Sequence, residues 1–190
     1  MKKVFVFLSD GFEETEAIAT TDVMLRGELD VTTVSVTGKL QVTGAHGIAV
    51  NAQALFENTD FSKGEMLVLP GGMPGASNLN AHRGLKNLLK QYAQEGKKLA
   101  AICAAPLVLG GLDLLQGKKA TAYPGFESTL KGAEYVTAGI VKDGNIITGK
   151  GPGFALDFGL AIVEELQGKA KAKAVAEGLL LEQKAKEGVF

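Results

Sequence analysis

The 190-residue chain is almost electrically neutral, with 20 lysines and arginines against 21 aspartates and glutamates. This balance gives no electrostatic basis for binding nucleic acid or an anionic membrane surface, and we expect neither as a partner. A single cysteine excludes a disulfide framework within the chain and is typical of a reducing compartment. No small-residue cleavage site follows the first apolar run, so we expect a cytoplasmic protein.

Apolar, β-branched runs alternate with segments of helical periodicity through the first half of the chain. Short runs rich in valine and aromatic residues predict strands, and apolar residues that recur every three or four positions predict helices. The predicted elements are a strand over residues 3–8, a helix over 13–29, a strand over 30–36, a glycine-broken hairpin or pair of short edge strands over 41–50, a strand over 65–69 and a helix over 81–95.

The second half continues this alternation. Pro106 suits the first turn of a helix, and Asp143-Gly144 is a strong hairpin signal. The predicted elements are a strand over residues 98–102, a helix from 104 onward, a strand over 119–123, a strand over 134–137, a hairpin that turns within 141–147, and helices over 154–166 and 169–186. We expect about eight residues at the end to fray.

This recurrence of strand, helix and strand predicts an α/β fold with a mostly parallel sheet and helices on both faces. No linker or internal repeat divides the sequence, so we expect residues 1–190 to form a single domain. In such a sheet, ligands bind beyond the carboxyl ends of the strands. Three segments with reactive or glycine-rich chemistry follow predicted strands, namely residues 10–16, residues 70–75 and Cys103. We therefore expect a functional site where these segments meet.

Cys103 is the candidate nucleophile, because it lies at the predicted junction between a buried strand and a helix. Unpaired N–H groups and the helix dipole at such a junction lower the pKa of a thiol, so we expect a Cys103 pKa well below the ordinary value of about 8.5. The position also suits a nucleophile elbow, where a sharp turn presents the reactive side chain. The alternative interpretation is that Cys103 packs as a small buried hydrophobic residue.

Glu16 is the candidate proton relay. We interpret Glu13 and Glu14 as favourable charges at a helix N-terminus. Glu16 lies further into the helix and precedes apolar residues, so we expect it to point into the crevice. A carboxyl buried beside Cys103 would have a raised pKa and could donate a hydrogen bond to sulfur or transfer a proton.

Two backbone N–H groups are candidate donors to a reacting oxygen. Gly72 has no Cβ, so its N–H can approach a carbonyl oxygen closely, and Ala104 directly follows the candidate nucleophile. Together these groups would form an oxyanion hole.

The two histidines of the chain do not form an obvious catalytic partner for the cysteine. His82 has polar neighbours and is expected at the surface, whereas His46, in the predicted hairpin, has no role that the residues alone assign. Histidine, cysteine and acidic residues do not occur with metal-ligand spacing, so we expect no metal.

Four segments together resemble the ThiJ/PfpI superfamily, which includes protein deglycases, over about residues 3–181. They are DGFEETEA at 10–17, LPGGMPGASNL at 69–79, AAICAAPLVL at 100–109 and GKGPGFALDFGLAIVEEL at 149–166. The ICAAP run is similar to the bacterial ThiJ-type branch. The resemblance implies a flavodoxin-like three-layer α/β/α sandwich, usually as a homodimer. It also implies a reactive Cys103 on a strained elbow, hydrogen-bonded to Glu16, with Gly72 and Ala104 as the backbone donors. Further pocket residues implied in this way are Gly71, Tyr123, Arg26 and His46, the last two at the dimer contact.

Two positions depart from the family pattern. Protease-like members follow the cysteine with histidine, whereas this chain has Cys103-Ala104-Ala105, so a Cys-His dyad is absent there. Deglycases of the family have a histidine before the proline that matches Pro124, and this chain has Tyr123. A tyrosine with an ordinary pKa near 10 is a poor base at neutral pH, so the chemistry must depend on Cys103 and Glu16.

The resemblance implies a cysteine-dependent, cofactor-free enzyme for small reactive 2-oxoaldehydes or their early protein adducts. An alternative is a redox-responsive chaperone or oxidative-stress sensor in which Cys103 is oxidised. Cysteine peptidase activity is a third alternative, weakened by the missing histidine.

Overall fold

The apolar runs of the sequence form the centre of a seven-stranded sheet that is covered by helices on both faces. The computed structural model describes residues 1–181. The strands are β1 (Lys3–Leu8), β2 (Asp30–Ser35), β3 (Gln41–Thr43), β4 (Ala49–Asn51), β5 (Ala54–Leu55), β6 (Met66–Leu69), β7 (Lys98–Ile102), β8 (Lys119–Ala120), β9 (Glu134–Tyr135), β10 (Ile140–Asp143) and β11 (Ile146–Gly149). The helices are α1 (Glu14–Arg26), α2 (Gly75–Ala81), α3 (Arg83–Gln94), α4 (Pro106–Gly110), α5 (Ala155–Gln167) and α6 (Lys169–Gly178).

The main sheet has the strand order β10-β11-β7-β6-β1-β2-β5. Neighbouring strands are parallel except for the β10–β11 hairpin, which confirms the predicted mostly parallel sheet. Strands β3 and β4 form a separate antiparallel hairpin, which is the first of the two arrangements predicted for this segment. The central strands β1, β6 and β7 are covered on both faces, which explains their continuous apolar sequences.

Alternating side chains of β1 divide the core into two layers. Val4, Val6 and Leu8 pack with the apolar faces of α1 and α5 on one side of the sheet. Phe5 and Phe7 point to the other side and pack with the apolar residues of α2, α3 and α4. This arrangement is the expected flavodoxin-like three-layer α/β/α sandwich, and it gathers the carboxyl ends of β1, β6 and β7 at one edge.

Several predicted boundaries differ from the structure. Helix α2 was missed because glycine, serine and asparagine have low helix propensity. The helix expected from residue 104 begins at Pro106. The strand expected over 119–123 ends at Ala120, because the next N–H, that of Thr121, donates to the hydroxyl of Thr148. The expected helix over 169–186 is described only in part, and its end and the predicted fraying lie outside residues 1–181.

Helix α1 is positioned for the site by its close packing on α5. An added Cβ at Gly159 of α5 would lie only 2.7 Å from the Cβ of Val23. The two helices can therefore pack this closely only because residue 159 has no side chain. The hydroxyl of Thr20 also donates to the carbonyl oxygen of Ala155, at 3.2 Å. Within the described residues, none of the helices combines the length and apolar character needed to cross a bilayer.

We predict that Gly159→Ala lowers the free energy of unfolding by about 1–3 kcal/mol, because the new methyl group overpacks the α1–α5 contact. The matched control is Gly178→Ala in α6, where an added Cβ meets no atom within 4 Å. Its effect should be neutral or stabilising by up to about 1 kcal/mol, from helix propensity alone. Urea unfolding of both variants measures the difference, and equal stabilities would contradict the packing argument.

Candidate active site

Cys103 occupies a strained turn at the carboxyl end of β7. Its φ is 65°, in the left-handed region that costs a non-glycine residue about 1–3 kcal/mol. Two main-chain hydrogen bonds hold this conformation: the Cys103 N–H donates to the Gly149 carbonyl, and the Cys103 carbonyl accepts from the Tyr123 N–H, both at 2.9 Å. The sharp strand-to-helix turn predicted at Cys103 is therefore present, and strain of this kind is concentrated at functional positions.

Glu16 lies in the first turn of α1 with its side chain fully buried. Its Oε2 accepts a hydrogen bond from the Gly71 N–H at 2.8 Å. Its Oε1 is buried and has no hydrogen-bond partner among the described residues. The carboxyl and the thiol of Cys103 each influence the pKa of the other. The structure thus brings together the carboxyl and the thiol that the sequence predicted as partners.

Two glycines after β6 make room for this pair. A Cβ on Gly71 would lie 2.7 Å from the Cβ of Cys103 and 2.8 Å from Oε2 of Glu16. Gly72 has a φ of 88°. The N–H groups of Gly72 and Ala104 act to lower the pKa of the Cys103 thiol. The two donors named from the sequence therefore both lie close enough to influence this thiol.

The pKa values of the pair are raised, which corrects the prediction of an acidic thiol. Burial raises the pKa of Glu16 to about 7. Burial and the charge of Glu16 together raise the pKa of Cys103 to about 12, although the Gly72 and Ala104 N–H groups act in the opposite direction. The prediction depended on a helix N-terminus directly after Cys103, but α4 is only five residues long and begins at Pro106. The two groups interact strongly, so at neutral pH they do not both carry a negative charge.

Glu14 has a larger role than the helix-terminal charge that the sequence suggested. It is buried, and its Oε1 accepts from the N–H groups of His46, at 2.7 Å, and Ile48, at 3.3 Å. Its Oε2 lies 2.8 Å from Nδ1 of His46. Burial acts to raise the pKa of Glu14, but the hydrogen bonds from His46 hold it below its ordinary value. The same contact raises the pKa of the exposed His46. Glu14 thus fastens the β3–β4 turn to the start of α1.

The fold also brings together three side chains of the kinds that bind metal ions. Their spacing in the sequence did not reveal this cluster. Ligand atoms of Glu13, Glu14 and His46 all lie within 4.8 Å of one another. Hydrogen bonds between Glu14 and the turn around His46 already account for this arrangement.

Arg26 and His82 make their contacts away from the sulfur of Cys103. Arg26 pairs with Asp22 in the last turn of α1, ten residues or about 15 Å along the helix from Glu16, so a single chain does not bring it to Cys103. His82 was expected at the surface, but it is half-buried and its Nδ1 accepts from the Leu85 N–H, which caps α3.

Comparison with known proteins gives consistent matches over most of the chain. The model of the DJ-1/PfpI family matches residues 2–165. "Protein DJ-1 homolog A" of Arabidopsis thaliana is 40% identical over 95% of this chain, but the chain spans only 47% of that relative's length. A protein named a deglycase from Pyrococcus abyssi is 32% identical over 80% of this chain and 91% of its own. The solved structure of oxidised DJ-1 from Toxoplasma gondii has a TM-score of 0.91 and 34% identity, and the match covers 95% of this chain and 98% of that chain.

We predict that Glu16→Gln lowers the pKa of Cys103, because the charge of Glu16 is one of the causes that raise it. The measurement is the rate of Cys103 alkylation by iodoacetamide between about pH 6 and 10. The variant's curve should move to lower pH relative to the wild type. Glu13→Gln is the matched control, because Glu13 acts on Glu16 through its charge and is not among the causes of the Cys103 shift. A curve for Glu16→Gln at the wild-type position or above would contradict the assigned coupling.

Proposed function

The chain belongs to the DJ-1/PfpI family, and we propose that it is a cysteine-dependent enzyme for reactive 2-oxoaldehydes or their early adducts on proteins. The observation that carries the proposal is the buried pair of Glu16 and Cys103, with the N–H groups of Gly72 and Ala104 beside the thiol. A carboxyl with a pKa of about 7 is suited to accept and return a proton near neutral pH. The name of the Pyrococcus abyssi relative, a deglycase, supports the same substrate class.

The first step is addition of the thiol to the aldehyde carbon. Ionised Glu16 accepts the thiol proton as the carbon–sulfur bond forms, so a free thiolate need not accumulate. The aldehyde oxygen gains negative charge and is stabilised by the N–H groups of Gly72 and Ala104. Protonated Glu16 then gives its proton to that oxygen, which yields a neutral hemithioacetal and leaves Glu16 ionised again.

Rearrangement and hydrolysis complete the reaction. Ionised Glu16 removes the proton from the former aldehyde carbon while the neighbouring ketone oxygen gains a proton, which gives an enediol. The neighbouring carbon then gains a proton as the hydroxyl on the first carbon loses its own. The first carbon is thereby oxidised to a thioester while the adjacent ketone is reduced to an alcohol. Water then cleaves the thioester, which releases a 2-hydroxy acid and restores the Cys103 thiol. The electrons balance within the substrate, so this proposal includes no cofactor.

A redox sensor is the second candidate function. Peroxide would oxidise Cys103 stepwise to a sulfinate, whose oxygens could accept from the Gly72 and Ala104 N–H groups and from protonated Glu16. The Toxoplasma gondii relative, whose solved structure is of the oxidised protein, supports this alternative. A peptidase has less support, because His46 and His82 are both engaged away from the sulfur.

We predict that conversion of methylglyoxal to lactate depends on Glu16 in its ionised form. The carboxylate fraction of Glu16 rises with pH. We therefore expect kcat/KM to be low at acidic pH and to increase as the pH rises through about 7. Glu16→Gln should lower turnover by about 100-fold or more, because glutamine cannot exchange the proton, while Cys103 still reacts with iodoacetamide. Turnover that survives within about tenfold, together with altered sensitivity to peroxide, would place the sensor function first.

We further propose that the chain forms a homodimer through α1 and the β3–β4 hairpin. Ile18, Leu25 and Ile48 are each about half exposed. A cavity of about 230 Å³ lies beside them, lined by residues that include Ile18, Leu25 and Val50. A second chain would bury this apolar surface.

Light scattering should therefore give about twice the 19.8 kDa chain mass at micromolar concentration. Leu25→Asp should shift the protein to the monomer mass, because a charge at an apolar contact opposes burial. Asn87→Asp on α3, in the opposite layer, introduces the same charge at an exposed position and should leave the mass unchanged. A wild-type particle with the mass of one chain would contradict the dimer.

A further inference from the structure

Two segments hold Cys103 in its left-handed conformation, and they come from different parts of the chain. Gly149, the last residue of β11, accepts from the Cys103 N–H. Tyr123, three residues after β8, donates to the Cys103 carbonyl. A φ of 65° is unfavourable for cysteine, so it persists only while its surroundings hold it. The contacts that fix these two partners therefore decide the conformation of the nucleophile.

The main sheet holds the two partners to different degrees. Gly149 lies in β11, which pairs with β7 so that Gly149 is opposite Ile102. Tyr123 instead follows β8, which pairs with β9 in a separate two-stranded sheet. The segment from Thr121 to Tyr123 therefore needs further contacts to keep its position beside β11.

The side chain of Thr148 supplies such a contact. Its Oγ1 accepts a hydrogen bond from the Thr121 N–H at 3.0 Å. Both threonines are buried, and removing one partner of a buried hydrogen bond leaves the other unpaired at a cost in free energy. Thr148 directly precedes Gly149, and Thr121 lies two residues before Tyr123. This one hydrogen bond therefore joins the two segments that hold Cys103.

The position of Thr148 places this contact next to the strand that carries the nucleophile. In the pairing of β11 with β7, Thr148 is opposite Ala101, two residues before Cys103. An effect of the Thr148 hydroxyl on the sulfur thus passes through the main chain of the neighbouring segments.

On the basis of the proposed function, we propose that Thr148 is a positioning residue for the reaction at Cys103. Its hydroxyl keeps the segment of Tyr123 in place beside β11, so that the Cys103 carbonyl retains its donor and the sulfur stays beside Glu16. Without the hydroxyl, that segment can shift and Cys103 can relax toward a negative φ. The side chain then turns away from Glu16, and the proton transfer slows.

The test replaces Thr148 by valine, which keeps the branched shape of the side chain and removes the hydroxyl. Thr148→Val should lower kcat for methylglyoxal about tenfold or more, equivalent to about 1.4 kcal/mol of barrier, and leave KM within about twofold. Thr148→Ser retains a hydroxyl, and its kcat should lie within about twofold of the wild-type value. Thr148→Ala also lacks the hydroxyl and should repeat the loss, which keeps the test decisive if the valine variant does not fold.

The matched control is Thr121→Val, which also removes a buried threonine hydroxyl. That hydroxyl donates to the Ala138 carbonyl at 3.0 Å, whereas the Thr121 N–H that bonds to Thr148 is unchanged by the substitution. Both valine variants should lower the midpoint of urea unfolding, but only Thr148→Val should lower kcat. An equal loss of kcat in the two variants would assign the effect to lost stability and overturn the positioning role.

A measurement of thiol reactivity separates failure of this inference from failure of the proposed function. The rate of Cys103 alkylation by iodoacetamide is followed against pH for the wild type and both valine variants. Burial and the charge of Glu16 raise the pKa of Cys103, so a sulfur that leaves this position should react at lower pH.

A shift of about one pH unit or more to lower pH in Thr148→Val alone supports the positioning role even if methylglyoxal is not converted. Coincident curves for the wild type and Thr148→Val would overturn the positioning role. If the wild type still converts methylglyoxal in that case, the proposed function stands without it.

Discussion

The candidate site depends on one interaction, the contact between the buried carboxyl of Glu16 and the thiol of Cys103. Ionising both groups at once in a space closed to water would be costly, so one proton is kept between them at neutral pH. The contact exists only because Gly71 has no side chain, since a Cβ there would overlap both groups. Its N–H also fixes the carboxyl by donating to Oε2. Three separated segments must therefore be placed accurately for this proton to be shared.

The fold positions these segments with contacts on every side of Glu16. Helix α1 packs on α5 through Gly159, which fixes the position and rotation of the helix. Glu14, two residues before Glu16, fastens the β3–β4 turn to the same end of α1. The Glu13 N–H donates to the carbonyl of Gly71, so the loop after β6 is joined directly to the start of the helix. The buried carboxyl is thus held by contacts that do not involve the sulfur.

Local sequence patterns predicted the strands well, because parallel strands buried on both faces are continuously apolar. The predicted strands in turn showed where the reactive residues converge. Cys103, Glu16 and Gly72 were found because each follows a predicted strand, and strand ends of a parallel sheet share an edge. The contact between Glu14 and His46 spans 32 residues and has no periodicity that could reveal it. The thiol pKa was misjudged for a related reason. A helix N-terminus and a neighbouring Glu16 could both be predicted from the sequence, whereas the degree of burial that outweighs the helix appears only once the chain is folded.

The order of the two pKa values bears on the choice between enzyme and sensor. With Glu16 near 7 and Cys103 near 12, the carboxyl is the group that loses its proton first as the pH rises. The resting sulfur is then a thiol, which reacts slowly with peroxide because the thiolate is the oxidisable form. A substrate carbonyl changes this situation, because bond formation at sulfur makes the proton easier to remove and Glu16 is placed to accept it. The N–H groups of Gly72 and Ala104 then face the oxygen on which charge develops. A site of this kind would activate its nucleophile only when an electrophile is bound, which suits the proposed enzyme better than the proposed sensor.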